Sequence, residues 1–261
     1  METLARETDY GPCPYLPDRL WRVQEFATRS FEPSDYEALL AAGWRRSGPV
    51  FYRDTCPGCR LCTPLRLDAE RFRPSASQRR LLRVNADVQT RLCVPSFSEE
   101  RYQLYRRYVR VKHGVEEAPD SIARASYSSF LLGGPLGTSA IVEYRNEEGR
   151  LLATGYIDIL PEGLSSVYLA FDPDEGRRSL GTWSVLREVE LARSLGKRYY
   201  YLGFWVPGAS KMDYKSRFTP FEIARSGRWI PVGDRAEALA VLGTRGDSVP
   251  SPDLAEATGR P

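Results

Sequence analysis

The clearest periodicity lies between Thr182 and Ala192, where Thr182, Val185, Leu186, Val189 and Ala192 share one helical face and charged residues occupy the others. Gly196 supplies a stop, so the spacing predicts a helix running to about Leu195. The stretch Arg198 to Val206 is aromatic and apolar throughout, as expected for a strand buried on both faces. Upstream, a strand over Ser165–Phe171 leads through Asp172-Pro173-Asp174-Glu175-Gly176 to Arg177-Arg178-Ser179-Leu180-Gly181-Thr182. This strand–loop–helix–strand unit has a basic, glycine-containing turn at the helix start. Such a turn can offer backbone N–H groups and a positive dipole end to an anion, although a plain packing unit gives the same pattern.

The remaining pattern divides the chain near Ser96 into an N-terminal part, 1–95, a second part, 96–243, and a tail, 244–261. Ser34 to Gly43 reads as a short helix with Ser34 as cap and Glu37 completing a capping box. Val50 to Arg53 and Leu65 to Leu67 read as strands, and Ser75 to Val88 as a basic helical stretch. Ser98 opens a helix with Glu99 and Glu100 in its first turn and Arg106, Arg107, Arg110 and Lys112 towards its end, matching the helix dipole at both ends. A second helix fits Asp120 to Leu132, stopped by Gly133-Gly134, and strands fit Thr138–Tyr144 and Leu151–Leu160. The tail, rich in Gly, Pro, Ser and Asp, reads as disordered. The class is α/β in the broad, α+β sense.

Composition narrows the partners. At 261 residues, 42% apolar and 27% charged, the chain can bury a real core. It has no apolar run long enough to span a membrane, and Met1–Tyr10 lacks the apolar core of a secretory signal. A soluble cytoplasmic protein with no membrane partner is expected. The net charge of +3 hides a local excess: Arg60 to Lys112 carries 13 Lys/Arg against 5 Asp/Glu. Arginine-rich surface suits an anionic partner such as RNA, or it is simply a solvated helical face.

Five cysteines are present, three in the run Cys56-Pro57-Gly58-Cys59-Arg60-Leu61-Cys62. Without a secretory signal a disulfide framework is not expected. Three thiolates at this spacing, with Cys13 as fourth ligand, could hold zinc or an iron–sulfur cluster. Reduced structural thiols in a Gly/Pro turn are the alternative.

The order of elements in the second part resembles the GNAT acyltransferase fold, and Arg177 to Thr182 resembles a degenerate form of its pyrophosphate loop, with Trp183 where a final small residue is expected. Further motifs resemble the arginyl/leucyl-tRNA–protein transferases in their bacterial form. They are Cys13-Pro14-Tyr15-Leu16-Pro17, the cysteine run with Pro64-Leu65-Arg66, Arg73 to Arg80 followed by Asn85-Ala86-Asp87, and Tyr105-Arg106-Arg107-Tyr108 followed by Lys112-His113. In the second half the run continues with Val167-Tyr168, Phe171-Asp172-Pro173, Arg178 to Thr182, Tyr201-Leu202-Gly203 and Lys211 to Lys215. The chain departs from eukaryotic members, which carry an early C-x-x-C pair: here position 10 is Tyr and only Cys13 remains.

The resemblance implies a cysteine-bearing N-terminal domain and a GNAT-like C-terminal domain. It implies transfer of an amino acid from aminoacyl-tRNA to the α-amino group of a protein beginning with Asp or Glu, marking it for degradation through the N-degron pathway. Leu-tRNA is the expected donor of the bacterial form and Arg-tRNA the alternative. The acyl group arrives activated, so no cofactor is required for the chemistry and no covalent nucleophile is needed. The absence of a G-x-S-x-G elbow and the single histidine, His113, agree with this. An α-amino group titrates near ~8, so good positioning and a weak base suffice.

The expected roles follow. Arg178 with Gly181 and Thr182 binds terminal tRNA phosphates or polarises the ester carbonyl. Lys211, Tyr214 and Lys215 touch the 3′ adenosine or the ester. Tyr168 is an expected substrate contact, and Arg66, Arg79 and Arg80 pair with the acceptor's acidic side chain or with phosphate. Asp172 or Asp158 receives the amine. Two functions of other classes remain open: a coenzyme-A-dependent N-acetyltransferase on the same fold, and an RNA-binding module built on a metal knuckle.

Overall fold

A computed structural model describes residues 5–28, 32–114, 118–134 and 137–243. A small antiparallel sheet is built from β1 (Arg6–Pro12), β2 (Leu20–Ala27), β3 (Arg45–Ser47) and β4 (Val50–Asp54), in the order β1-β2-β4-β3. Between β2 and β3 lies α1 (Pro33–Ala41). Its cap is Glu32 rather than Ser34, because Pro33, with φ already helical, takes the first helical position. Glu37 makes no capping box and instead accepts the backbone N–H of Glu162 at 2.9 Å.

The large sheet has eight strands. In chain order they are β5 (Thr63–Asp68), β6 (Gln89–Cys93), β7 (Ser139–Arg145), β8 (Leu151–Ile159), β9 (Gly163–Phe171), β10 (Tyr199–Trp205), β11 (Phe221–Arg225) and β12 (Arg228–Val232). They are arranged β12-β11-β5-β10-β9-β8-β7-β6. The division at residue 95 therefore does not follow the sheets: β5 is an inner strand of the large sheet and β6 its edge. Every neighbouring pair is antiparallel except β9 and β10, which run parallel.

Six helices surround the large sheet: α2 (Ala76–Val84), α3 (Glu99–His113), α4 (Asp120–Tyr127), α5 (Leu180–Ser194), α6 (Ser210–Asp213) and α7 (Arg235–Leu242). Alternation along β7 shows the layering. Ala140, Val142 and Tyr144 face the core beneath α5, while Ile141 joins Tyr102 of α3 and Tyr127 of α4 on the opposite side. The expected helix 120–132 ends as an α-helix at Tyr127 and continues as one wide π turn over Ser128–Leu132. The capping box at Ser75 and Gln78 begins α2. The tail from residue 244 lies outside the described residues. No helix among the described residues is long and apolar enough to cross a membrane.

Several contacts fasten the small sheet to the large one. Tyr36, Leu40, Trp44 and Phe51 pack with Leu160 and Tyr201. Beside them Asp158 of β8 accepts from Arg46 Nε and Nη2, both at 2.7 Å, from Tyr36 at 2.7 Å and from Ser139 at 2.7 Å. Asp158 is fully buried, so its expected role as receiver of the amine gives way to this structural one. Asp158→Asn leaves Arg46 buried without its counter-charge, and urea unfolding should show a loss of about 3–5 kcal/mol.

Candidate functional site

The ladder between β9 and β10 ends after Tyr201↔Ser165. Both strands continue, β9 to Phe171 and β10 to Trp205, but no longer as partners. A register shift between Tyr201 and Gly203 and a positive φ of 86° at Gly203 bend β10 at this point. The result is a wedge at the carboxyl ends of two parallel strands, where open sheets place ligands.

Aromatic side chains line the β9 side. Tyr168 lies 5.8 Å from Tyr105, 6.2 Å from Tyr108 and 5.2 Å from Phe130, and the Phe171 ring is 4.7 Å from Tyr108. The first turn of α5 reaches this cluster: a Cβ on Gly181 would stand 3.5 Å from the Phe171 ring. Lys112 lies 5.7 Å over the same ring. The end of α3 and the segment after β10 also meet here. Burial and the nearby Lys211 charge both push His113 below its usual value, keeping the imidazole neutral near pH 7. Burial chiefly, with Tyr108 and Glu188 nearby, pushes Tyr214 up to about 12. Tyr168, Gly181, Lys211 and Tyr214 thus share one neighbourhood, and Thr182 stands beside Gly181. The Thr182 N–H bonds to Ser179 O at 3.0 Å, so that amide is already used.

Other expected site residues serve the frame. Arg178 donates to both oxygens of Asp87 at 2.8 Å and to Glu175 at 3.0 Å, while Asn85 Nδ2 donates to the Arg178 carbonyl at 3.0 Å. The Asn85-Ala86-Asp87 motif is therefore the clasp of the Arg178 turn, and the guanidinium is paired with Asp87 and Glu175. Asp172 is buried between Arg107 at 2.6 Å and Arg150 at 2.9 Å, which removes it as a receiver of the amine. Arg66 lies opposite Tyr201, on the paired side of the parting point. It is caged over the rings of Tyr199 (3.5 Å) and Trp229 (4.3 Å) and donates to Glu222 at 2.7 Å, so it is not open to an acceptor. Arg79 and Arg80 lie on the exposed face of α2, where Arg79 donates to Pro74 O and Arg80 enters no ion pair among the described residues. Lys215 is buried, with Nζ donating to Phe204 O at 2.8 Å, beyond the point where β10 parts from β9.

The cysteines are gathered but do not form a ligand set. Among the described residues no three His, Cys, Asp or Glu side chains come together to hold a metal ion. Cys56 is buried against the Arg22 backbone, with Sγ 3.5 Å from both its N and its O. Burial, then the Asp54 carboxylate, pushes the Cys62 thiol far up and keeps it protonated. Cys13 and Cys59 are partly exposed free thiols.

Two buried groups escaped the sequence reading. Glu188 lies on the apolar face of α5, not among its outer charges, and is 1% exposed. It accepts from Tyr200 at 2.8 Å and Tyr144 at 3.2 Å, and burial pushes its carboxyl up to about 7. Its signal was available: Leu180, Ser184, Glu188 and Ala192 form one i,i+4 row and all are buried. Trp183 is also buried, its ring 5.1 Å from Tyr144. The bulky residue in the degenerate loop therefore points into the core and leaves the mouth of the turn open.

Family models match in two pieces: arginine-tRNA-protein transferase, N terminus, over residues 11–80, and arginine-tRNA-protein transferase, C terminus, over residues 100–225. An aspartate/glutamate leucyltransferase of Chromohalobacter salexigens is 40% identical over 83% of this chain and 88% of its own length. The chain belongs to the aspartate/glutamate leucyltransferase family. A member from Pseudomonas fluorescens is 38% identical over 88% of this chain and 99% of its own. Among solved structures, a GCN5-related N-acetyltransferase from Kribbella flavida superposes with a TM-score of 0.37 at 15% identity, covering 69% of this chain and 60% of that one. The family fixes the protein as a transferase, and its frame is mixed α/β.

Two measurements check the roles given to Arg178 and Glu188. If Arg178 acts through its clasp, Arg178→Ala and Asp87→Ala lower transfer to a similar extent and the double variant is no worse than either; a direct phosphate contact would make Arg178→Ala much the more damaging. Glu188 holds its proton above the ordinary value of 4.5, so the native state binds the extra proton between about 4.5 and 7. Stability therefore falls as pH rises through that window, by up to roughly 3 kcal/mol. Glu188→Gln should remove this fall from the unfolding free energy measured against pH.

Proposed function

We propose that this chain transfers leucine from Leu-tRNA to the α-amino group of proteins beginning with Asp or Glu, so marking them for N-degron degradation. The observation that carries the reading is the wedge between β9 and β10, with the start of α5 at one end and arginines beside it. An acyl-transfer site on tRNA must admit an extended 3′ end, hold its last phosphates and leave the ester open to an amine. The α5 start offers the positive end of a helix dipole to such a phosphate. The exposed Arg177, Arg80 and Arg83, which enter no ion pair among the described residues, extend that field along α2. Tyr168, Tyr105, Tyr108 and Phe130 offer ring faces for the terminal adenine or the leucine side chain.

The chemistry asks little of the protein. The acceptor amine attacks the ester carbonyl, the C–N bond forms, and the ribose hydroxyl leaves carrying a proton. In this reading His113, held below its usual value beside Lys211, takes the proton released by the amine, and Lys211 faces the oxyanion. Titrating charged Leu-tRNA and charged Arg-tRNA against peptides beginning with Asp, Glu or Ala should give leucylated Asp and Glu peptides only. Arginylated product alone would move the chain to the arginine donor. Acetylation from acetyl-CoA in place of aminoacyl transfer would point to a coenzyme-A enzyme. RNA binding with no product of either kind would point to a binding module.

A further inference from the structure

β3 carries two consecutive arginines with opposite fates. Arg46 is matched by the Asp158 carboxylate. Arg45 is 6% exposed and donates only Nη1, to its neighbour's carbonyl, Trp44 O, at 2.7 Å. Its Nε and Nη2 are buried with no hydrogen-bond partner. Leaving charged donors unmatched in a protein interior is costly, and such groups call for an explanation.

A second cation lies close by. The Arg45 guanidinium carbon is 5.3 Å from the Phe204 ring centre, and Lys215 Nζ is bonded to the carbonyl of the same residue. Lys215 is 8% exposed and feels the Arg45 charge directly. Neither cation has an ion-pair partner among the described residues. The groups facing them are Tyr36, Tyr52 and Tyr201 around Arg45, and the Cys62 thiol near Lys215; none is a carboxylate. Burial first, and then the Arg45 charge, push Lys215 down to about 7.

We propose that Arg45 and Lys215 receive the side-chain carboxylate of the acceptor's N-terminal Asp or Glu. This rests on the transferase reading given above. A side-chain carboxylate on one or two methylenes is small enough to enter between buried donors. A polynucleotide phosphate, fixed in a bulky backbone, is not, and the exposed arginines of α2 already suit it. The position fits the reaction: Phe204 lies on β10 beyond the point where it parts from β9. A carboxylate held there leaves the α-amine of the same residue only a few bonds away, at the wedge. A forked guanidinium with an ammonium beside it also explains a selection for acid over amide, because an amide brings no charge to two desolvated cations.

The test uses the full-length protein with Leu-tRNA and peptides identical except for a first residue of Asp, Asn, Glu or Gln. In Arg45→Met and Lys215→Met the preference in kcat/KM for Asp over Asn should fall on the order of 10- to 100-fold, the worth of one charged hydrogen bond, while the Kd for Leu-tRNA is unchanged. Lys215→Arg, which keeps the charge, should retain most of the preference. Removing an unmatched buried cation should leave the melting temperature at or above wild type. An undiminished preference in both Met variants overturns the proposal, as does weakened tRNA binding with the preference intact, which would place an RNA phosphate at the pair. A lowered melting temperature with the preference kept would make the pair structural. Failure of the wild-type protein to leucylate any peptide would instead sink the transferase reading itself.

Discussion

The structure depends on one constraint: two parallel strands in an otherwise antiparallel sheet stop pairing after Ser165 and Tyr201 while both run on. Parallel neighbours need a crossover, and α5 is that crossover, so its N-terminus is delivered to the end of β9 where the strands part. The turn before α5 is then held from outside. Asp87 and Asn85, at the end of α2, grip Arg178, and Arg107 and Arg150 grip Asp172. These ion pairs use several of the most recognisable polar motifs in the chain to fix the wedge rather than to line it. Glu188 supports the same region from below, through tyrosines of β7 and β10.

Much of this was legible in the sequence because the periodic signals were strong. The helical face of α5, the unbroken apolar run of β10, the basic helical stretch from Ser75 and the dipole-matched ends of α3 are all legible in the sequence, whereas the capping box lies at Ser75 and Gln78 and not at Ser34 and Glu37. β1 and β2 were not read. β1 is Arg-Glu-Thr-Asp-Tyr-Gly-Pro with hardly any apolar alternation, and β2 buries Glu25, which is matched by Arg6, Thr8 and Tyr10 from β1. Such pairing is visible only once the strands are side by side. The placement of β5 inside the large sheet was equally hidden, since its partners β10 and β11 lie more than a hundred residues further along.

The site was legible as a neighbourhood more than as a set of roles. Tyr168, Gly181, Thr182, Lys211 and Tyr214 were picked from motifs and lie around the wedge. Arg66, Arg178 and Asp172 were picked on the same grounds and hold the frame. Nothing in a motif tells a paired arginine from an unpaired one, because that depends on which carboxylate the fold brings near. Arg45 shows the reverse: a short strand of Arg-Arg-Ser carries no functional signal, and only the absence of a partner for its buried donors marks it. The cysteine run has the spacing of a metal site, and in the fold burial, then the Asp54 carboxylate, pushes the Cys62 thiol up.

The central claim is that acyl transfer takes place in the wedge between β9 and β10. A crystal structure with an RNA stem–loop ending in a non-hydrolysable leucyl-amide adenosine would test it most directly. The account places the leucyl-adenosine against Tyr168 and Tyr108, with its phosphate at the start of α5 beside Gly181. An adenosine bound on the four-stranded sheet or at the cysteine turn, with the wedge empty, would contradict it.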